Sequence, residues 1–318
     1  MLGFLSQVDI PTVKYEIDLP AKIQISKTDL KLDIIETHFN RDAFIAPIVD
    51  DFVISISAIL SFIDVCNSTP AQFLESYILR YPRSTSKQAS YGNSMHAALN
   101  FVNIELKKTN KLPDLSEIFK SYEKELNRQP LTPLERELYL EKGRTNLTNY
   151  MQWHSDGFSK YDLSEYNMAS ANLYINSFKV SGSLDRVVFD FDDKSINVID
   201  YKTGKPFEAF FKGSPSTKLK SFKYKLQLTF YRYLLENHPN YKSKYKFGKS
   251  YLHFLDAKTD VESVLAYVPT ENDMKFLLQI IEAVTTKIKN MEFPDVSEYE
   301  KSYFGVRQFV DDLISGKI

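Results

Sequence analysis

The chain has 318 residues, 43% hydrophobic and 25% charged, with a formal net charge of -1 at pH 7. That length exceeds one typical domain and allows a full-sized core with helical additions, and the composition is that of an ordinary globular protein, which excludes a disordered or fibrous chain. No run approaches the ~20 apolar residues of a membrane span, no signal-peptide order opens the chain, and the single cysteine, Cys66, can supply neither an internal disulfide nor a thiolate cluster; a cytoplasmic protein is expected.

Residues 1–13 read as a loose arm, and 22–39 and 55–79 carry helical apolar spacing. Tyr81-Pro82-Arg83-Ser84-Thr85-Ser86 breaks the pattern before Gly92. Beyond it Met95, Leu99, Val102 and Leu106 recur at i, i+4, i+7 and i+11, which predicts a helix with His96 near its start. Helices are also predicted over 114–127 and 132–155, the second opened by Thr132-Pro133 with Glu135 completing a capping box. From about Asn172 the period becomes strand-like, over 173–180, 183–191 and 195–201. Residues 223–236 return to helix and end at Asn237-His238-Pro239. A last strand pair over 250–255 and 261–268 precedes a helix from Glu271 to about Met291. No internal repeat interrupts this order. It indicates an α/β core with a helical region in front of it, divided into an arm and helix over 1–50, a helical region with the His96 helix over 51–160, and a core with C-terminal helices over 161–318.

The near-neutral total charge hides an uneven distribution. Residues 202–249 hold eleven lysines and Arg232 against Glu208 and Glu236, a local net charge of +10, so the remainder is net acidic. Such a block is as readily a solvated face as a binding surface. Phe210, Phe211, Phe222, Tyr224 and Tyr241 are interleaved with the cations, however, and that mixture suits phosphates and stacked bases.

The most informative run is Gly182-Ser183-Leu184-Asp185-Arg186, followed by Asp192-Asp193 and then Val198-Ile199-Asp200-Tyr201-Lys202-Thr203-Gly204. With Asp192 and Asp193 as a two-residue hairpin loop, Asp185 opposes Asp200, Val187 opposes Val198 and Phe189 opposes Ile196. An apolar face then leads up to two carboxylates. A loop shifted by one residue on each side keeps the parity but moves the partner. Opposed Cβ atoms lie roughly 4.5–5.5 Å apart, so two like charges repel there unless a cation sits between them. Carboxylate oxygens suit Mg²⁺ or Mn²⁺. Lys202 emerges on the same face as Asp200, where an ammonium can steady a metal-bound water or developing negative charge. The competing reading is a surface hairpin with ordinary polar ends, and a lone Asp-x-Lys would not displace it; the complete run does.

Taken together, Gly-Ser-Leu-Asp-Arg and Val-Ile-Asp-Tyr-Lys-Thr-Gly-Lys resemble the nuclease signature of RecB-type enzymes in the PD-(D/E)XK superfamily, including the nuclease domains of UvrD-like helicases and of AddB. Ser55-Ile56-Ser57-Ala58 with Cys66, Pro70 and Phe73 resembles the family's opening helix. Tyr91-Gly92-Asn93-Ser94-Met95-His96 resembles its Gly-x-x-x-His helix, and Gln227 with Tyr231 its Gln-x-x-x-Tyr helix, so the likeness covers about residues 52–295. It implies a restriction-endonuclease-like α/β core, a mixed central sheet flanked by helices, with an N-terminal helical region. Asp185, Asp200 and Lys202 would be catalytic. Asp185, Asp200, His96 and the Tyr201 carbonyl would hold Mg²⁺ or Mn²⁺, His96 as a ligand or a water organiser. Gln227 and Tyr231, sharing one helix face, would contact DNA or buttress the site. The implied substrate is DNA, as single strands or ends, in recombination and repair. Because no motor motif is present, a UvrD/AddA-like helicase is expected as partner, in cis or in trans.

Two departures accompany the likeness. Phe293-Pro294-Asp295-Val296-Ser297-Glu298-Tyr299 has no cysteine where some members place three, so no iron–sulfur cluster is expected. The acidic residue often found before the first core strand is missing from Ser170-Ala171-Asn172. With the near-neutral charge, this keeps open a catalytically inactive module of the same fold that binds DNA or a helicase. Gly248-Lys249-Ser250 resembles the end of a phosphate-binding loop, but Ser243 stands at its first glycine. Trp153-His154-Ser155-Asp156 has hydrolase residue types with no partner at a telling spacing. Both read as structural.

Overall fold

Helices come first in the computed structural model, which describes residues 41–318: α1 (Arg41–Asp50), α2 (Ile56–Ile63), α3 (Pro70–Phe73), α4 (Lys87–Thr109), α5 (Leu115–Leu126) and α6 (Pro133–His154). The arm expected over 1–13 and the helix expected over 22–39 lie outside the described residues. The helical spacing over 55–79 resolves into pieces. The Asp64 carboxylate accepts the amides of Cys66 and Asn67 and turns the chain, and Thr69 then caps a new start at Pro70. The long helices begin where the side chains satisfy free amides: Ser86 accepts from Ala89, and Asp114/Glu117 and Thr132/Glu135 form capping boxes.

The remaining elements are β1 (Leu163–Asn167), β2 (Leu173–Ile175), β3 (Phe178–Val180), β4 (Ser183–Asp190), β5 (Ser195–Lys202), α7 (Pro215–Asn237), β6 (Lys246–Phe254), α8 (Asp260–Ser263), β7 (Val264–Tyr267), α9 (Glu271–Lys289) and α10 (Tyr303–Ser315). The single strand expected over 173–180 is a small separate hairpin, β2–β3, because Asn176 takes φ 53° and folds the chain back. The main sheet runs β1-β4-β5-β6-β7. β5 and β6 are parallel and the other pairs antiparallel. A parallel pair needs a long crossover, which α7 supplies.

The β4–β5 ladder has the expected register, with Val187 opposite Val198 and Phe189 opposite Ile196. Its turn is longer than two residues. The strands part after the Asp190–Ser195 pair, and Asp190 Oδ1 accepts the amides of Asp192 and Asp193 across the turn. Alternate residues of β5 serve opposite helical layers, as a strand buried on both faces must. Ile196 and Val198 join a core with Phe62, Phe230, Ile281 and Phe309 of α2, α7, α9 and α10. Ile199 and Tyr201 join a second core with Leu99, Tyr122 and Leu147 of α4, α5 and α6. The architecture is therefore the expected one, a mixed central sheet flanked by helices with a helical region ahead of it. Residues Ile45–Ile318 form one unit. Among the described residues no helix is long and apolar enough to cross a membrane.

Candidate active site

Three acidic residues stand in a row across β1, β4 and β5. The Ser164–Arg186 and Tyr166–Leu184 pairs bracket Glu165 opposite Asp185, and the β4–β5 ladder leads to Asp185 and Asp200 at its next step. Glu165 takes φ 45°, a left-handed backbone that costs a residue with a Cβ roughly 1–3 kcal/mol and persists only where its surroundings enforce it.

His96 is presented by α4 to the end of this row. Gly92, one turn earlier, faces Thr203, whose hydroxyl would make ordinary contact with a Cβ at that position. His96 Nε2 lies 3.2 Å from the Tyr201 carbonyl oxygen. Its Nδ1 lies 3.4 Å from Asp185 Oδ1 and 3.5 Å from Glu165 Oε1. Asp185 Oδ2 accepts the Tyr201 amide at 2.7 Å, which fixes the carboxylate. If Nε2 carries the proton toward the carbonyl, the Nδ1 lone pair faces two carboxylates, an arrangement that needs a proton or a metal ion at its centre. Burial opposes charge on His96, but Asp185 and Glu165 outweigh it and raise its pKa to about 10. Burial likewise opposes charge on Asp185, yet His96, Lys202 and the Tyr201 amide hold its carboxyl below the usual range.

The donor atoms of His96, Glu165 and Asp185 all lie within 4.8 Å of one another. One imidazole nitrogen and two carboxylates fit a divalent ion in place of the Nδ1 proton. The cavity in front of His96 and Glu165, about 410 Å³, is also lined by Gln88, Asn93, Asn100 and Thr203, uncharged groups that can meet a phosphate backbone.

Asp200 and Lys202 belong to an adjoining cluster built on α7. Lys202 Nζ lies 2.5 Å from Asp200 Oδ2 and donates to Gln227 Oε1 at 2.9 Å. Gln227 Nε2 donates to the Tyr231 hydroxyl at 2.6 Å, and that hydroxyl donates to Asp200 Oδ1 at 3.3 Å, closing a four-residue ring. The ammonium also lies 4.6 Å from the centre of the Tyr224 ring. Asp200 Oδ2 faces the Lys202 ammonium and has no other protein donor among the described residues, so a lone pair remains for a further ligand. Burial pushes the Asp200 pKa up to about 6 despite Lys202, with Asp185 adding to the rise. Burial opposes charge on Lys202, but Asp200 raises its pKa overall.

The expected residues thus divide into two neighbouring groups. His96 and Asp185 meet, joined by the Tyr201 carbonyl through Nε2. Asp200, Lys202, Gln227 and Tyr231 form the ring beside them. Glu165 carries no local signal in the sequence: it lies within β1, ahead of Ser170-Ala171-Asn172, and its own backbone interrupts that strand's alternation. Arg186, next to Asp185 in the motif, points away. It is buried against Asp162, donating from Nε to Oδ2 at 2.8 Å, and its guanidinium lies 4.0 Å from the Phe158 ring centre.

The basic block is only partly available to a ligand. Lys202, Lys212, Lys223, Lys225, Arg232 and Lys246 all have acidic partners, and Phe222 is core. Gly248-Lys249-Ser250 lies in β6 with Gly248 packed on Asn197, so no phosphate-binding loop forms. His154 Nε2 meets Ser263 Oγ at 2.7 Å and ties the end of α6 to α8.

Residues 60–300 match the family model of the PD-(D/E)XK nuclease superfamily, and the chain belongs to that superfamily. Membership supports nuclease activity in general, and these enzymes typically use divalent metals. A crystal structure of a Eubacterium rectale protein, provisionally named an exonuclease, resembles the chain with a TM-score of 0.50 at 11% identity, covering 81% of this chain and 87% of that one. At that identity the likeness concerns the fold. Comparison with curated proteins gave no significant match.

Proposed function

We propose that the chain is a Mg²⁺- or Mn²⁺-dependent nuclease that hydrolyses DNA phosphodiester bonds in single strands or at ends, working with a helicase in recombination or repair. The observation that carries the reading is the convergence of His96, Glu165 and Asp185 beside the Lys202–Asp200 pair, in a chain of this superfamily. The helicase and the strand preference rest on the likeness of the Asp185–Gly204 run to RecB-type nucleases.

In this reading His96, Glu165 and Asp185 hold the ion, with the Tyr201 carbonyl and the spare acceptor of Asp200 within the same corner. A bound ion supplies a water of lowered pKa and offsets charge on the scissile phosphate. The protein supplies position. The Tyr201 amide fixes Asp185, and the ring through Gln227 and Tyr231 aims the Lys202 ammonium, which stabilises negative charge growing on the phosphoryl oxygens. No protein nucleophile is required.

End-labelled single- and double-stranded DNA, incubated with and without Mg²⁺ or Mn²⁺, tests the proposal. The parent should cut single strands only with metal, and Asp200→Ala should stop cutting while DNA affinity remains. Binding without metal-dependent cutting would leave the inactive DNA- or helicase-binding module as the reading.

A further inference from the structure

At the opposite end of β4 from Asp185, a cavity of about 400 Å³ opens beside the β4–β5 turn. Aromatic rings from three segments line it. Phe189 is the shared member, 5.6 Å from Tyr241, 5.3 Å from Tyr245 and 6.1 Å from Phe191 in a parallel arrangement. Tyr161 meets Phe191 edge-on at 5.2 Å. Asn240 and Lys244 complete the lining, and Lys160 Nζ lies 5.4 Å from the Tyr161 ring centre.

A single exposed aromatic residue means little. Here Tyr161 and Phe191 are 55% and 52% exposed and together wall a cavity whose floor is also aromatic. Of the turn's three acidic residues only Asp192 is left without a partner within 4 Å among the described residues. Asp190 is occupied by the turn amides and Asp193 by Lys246 at 2.7 Å. Lys160 and Lys244, by contrast, have no acidic partner within 4 Å among the described residues. A ligand matching these groups is flat and aromatic, has polar edges for the Asn240 amide, and carries a neighbouring negative charge. A bare anion has no use for the rings, and an alkyl chain has none for the amide and ammonium.

We infer that this cavity stacks one unpaired nucleobase of a DNA strand, at a position remote from the point of cleavage. The inference rests on the nuclease reading for its ligand. Faces of bases in a duplex are covered by their neighbours, so the cavity selects single strands. Phe191, just past the end of β4, lies six positions beyond Asp185, a span of ~20 Å along extended chain, so the base held here lies several nucleotides from the scissile phosphate.

The test measures binding of the full chain to a labelled oligodeoxythymidylate long enough to span both sites, and to a blunt duplex of the same length. EDTA is present to withhold metal. Tyr161→Ala combined with Phe191→Ala should weaken single-strand binding by roughly tenfold or more and leave duplex binding unchanged. Both side chains are exposed, so folding is not at stake, and with metal the variant should hydrolyse bis(p-nitrophenyl) phosphate as the parent does, because that substrate is too small to reach the cavity. Phe191→Trp should keep the affinity, with the new indole quenched by the strand. Unchanged single-strand affinity in the alanine variant, an equal loss for duplex, or quenching by a proline-rich peptide in place of DNA overturns the inference. The two readings fail separately: a parent that cuts DNA with no contribution from the rings loses only the cavity, and a parent that stacks the strand without any metal-dependent hydrolysis loses only the nuclease.

Discussion

Glu165 stands across the β1–β4 ladder from Asp185, and both carboxylates reach the same nitrogen of His96, at 3.5 and 3.4 Å. Two like charges and a lone pair share one corner of the protein, which places the strongest demand for a cation there rather than between Asp185 and Asp200.

Metal affinity should follow that demand. Glu165→Gln and Asp185→Asn should each weaken Mn²⁺ binding by no less than the ~10–100-fold typical of losing an outer-sphere partner. Asp200→Asn should cost less, because Asp200 stands outside the His96–Glu165–Asp185 cluster. Isothermal titration calorimetry separates the cases, and equal losses for Asp185 and Asp200 would move the ion back between the two strands.

Lys202→Met removes the ammonium and opens the ring at that member, while Gln227, Tyr231 and Asp200 stay joined through the Tyr231 hydroxyl. Single-turnover cleavage should fall by roughly 10²–10³-fold, the range for losing one donor aimed at developing charge, while Mn²⁺ affinity stays near that of the parent. A comparable fall in metal affinity would make Lys202 a structural part of the metal corner.

The features legible in the sequence are those whose signals are local. Alternation in β4 and β5 gives their parity, the apolar pairs fix the register, and Thr132 and Glu135 mark the start of α6 by themselves. What escaped depends on contacts from afar or on backbone exceptions. β1 is short and broken by the φ of Glu165; Asn176 hides a reversal inside a run of strand-formers. α10 carries a Ser302 cap and a Gly316 stop, but its apolar face has meaning only against α2, α7 and α9. In the basic block, nothing in the linear order says that Lys223 and Lys225 will find Asp64 and Asp273. The His96–Glu165–Asp185 grouping likewise joins three separate segments.

Arg186 offers a stability test independent of the chemistry. Its guanidinium and the Asp162 carboxylate are both almost wholly buried. Arg186→Met strands the carboxylate in the interior and should cost roughly 3–5 kcal/mol in urea unfolding. Adding Asp162→Asn should recover part of the loss. If the double variant is no more stable than the single one, the pair is not coupled as its geometry requires.

Asp273 supplies a pH dependence away from the metal corner. Burial opposes its charge, but Lys225, Tyr267 and Thr270 outweigh burial and hold the carboxyl well below the usual range. A group with a depressed folded pKa stabilises the fold fully above its unfolded pKa of ~3.9, and that contribution disappears as pH falls toward the folded value. Asp273→Asn should therefore lower stability at neutral pH by an amount that stays constant down to about pH 5 and then shrinks with further acidification. Urea unfolding across that series checks the sign; a gap that widens in acid would contradict it.

The turn at residues 191–194 separates two kinds of sequence change. Lengthening it leaves the paired steps below Asp190 and Ser195 in phase, so the acidic row keeps its alignment. One residue added inside β4 instead reverses the facing of every side chain beyond it, bringing Arg186 toward the corner that Asp185 occupies and turning Val187 out of its layer. Homologous chains that vary in the turn can keep this corner intact, whereas a single-codon insertion in the strand would abolish it together with the packing on both sides of the sheet.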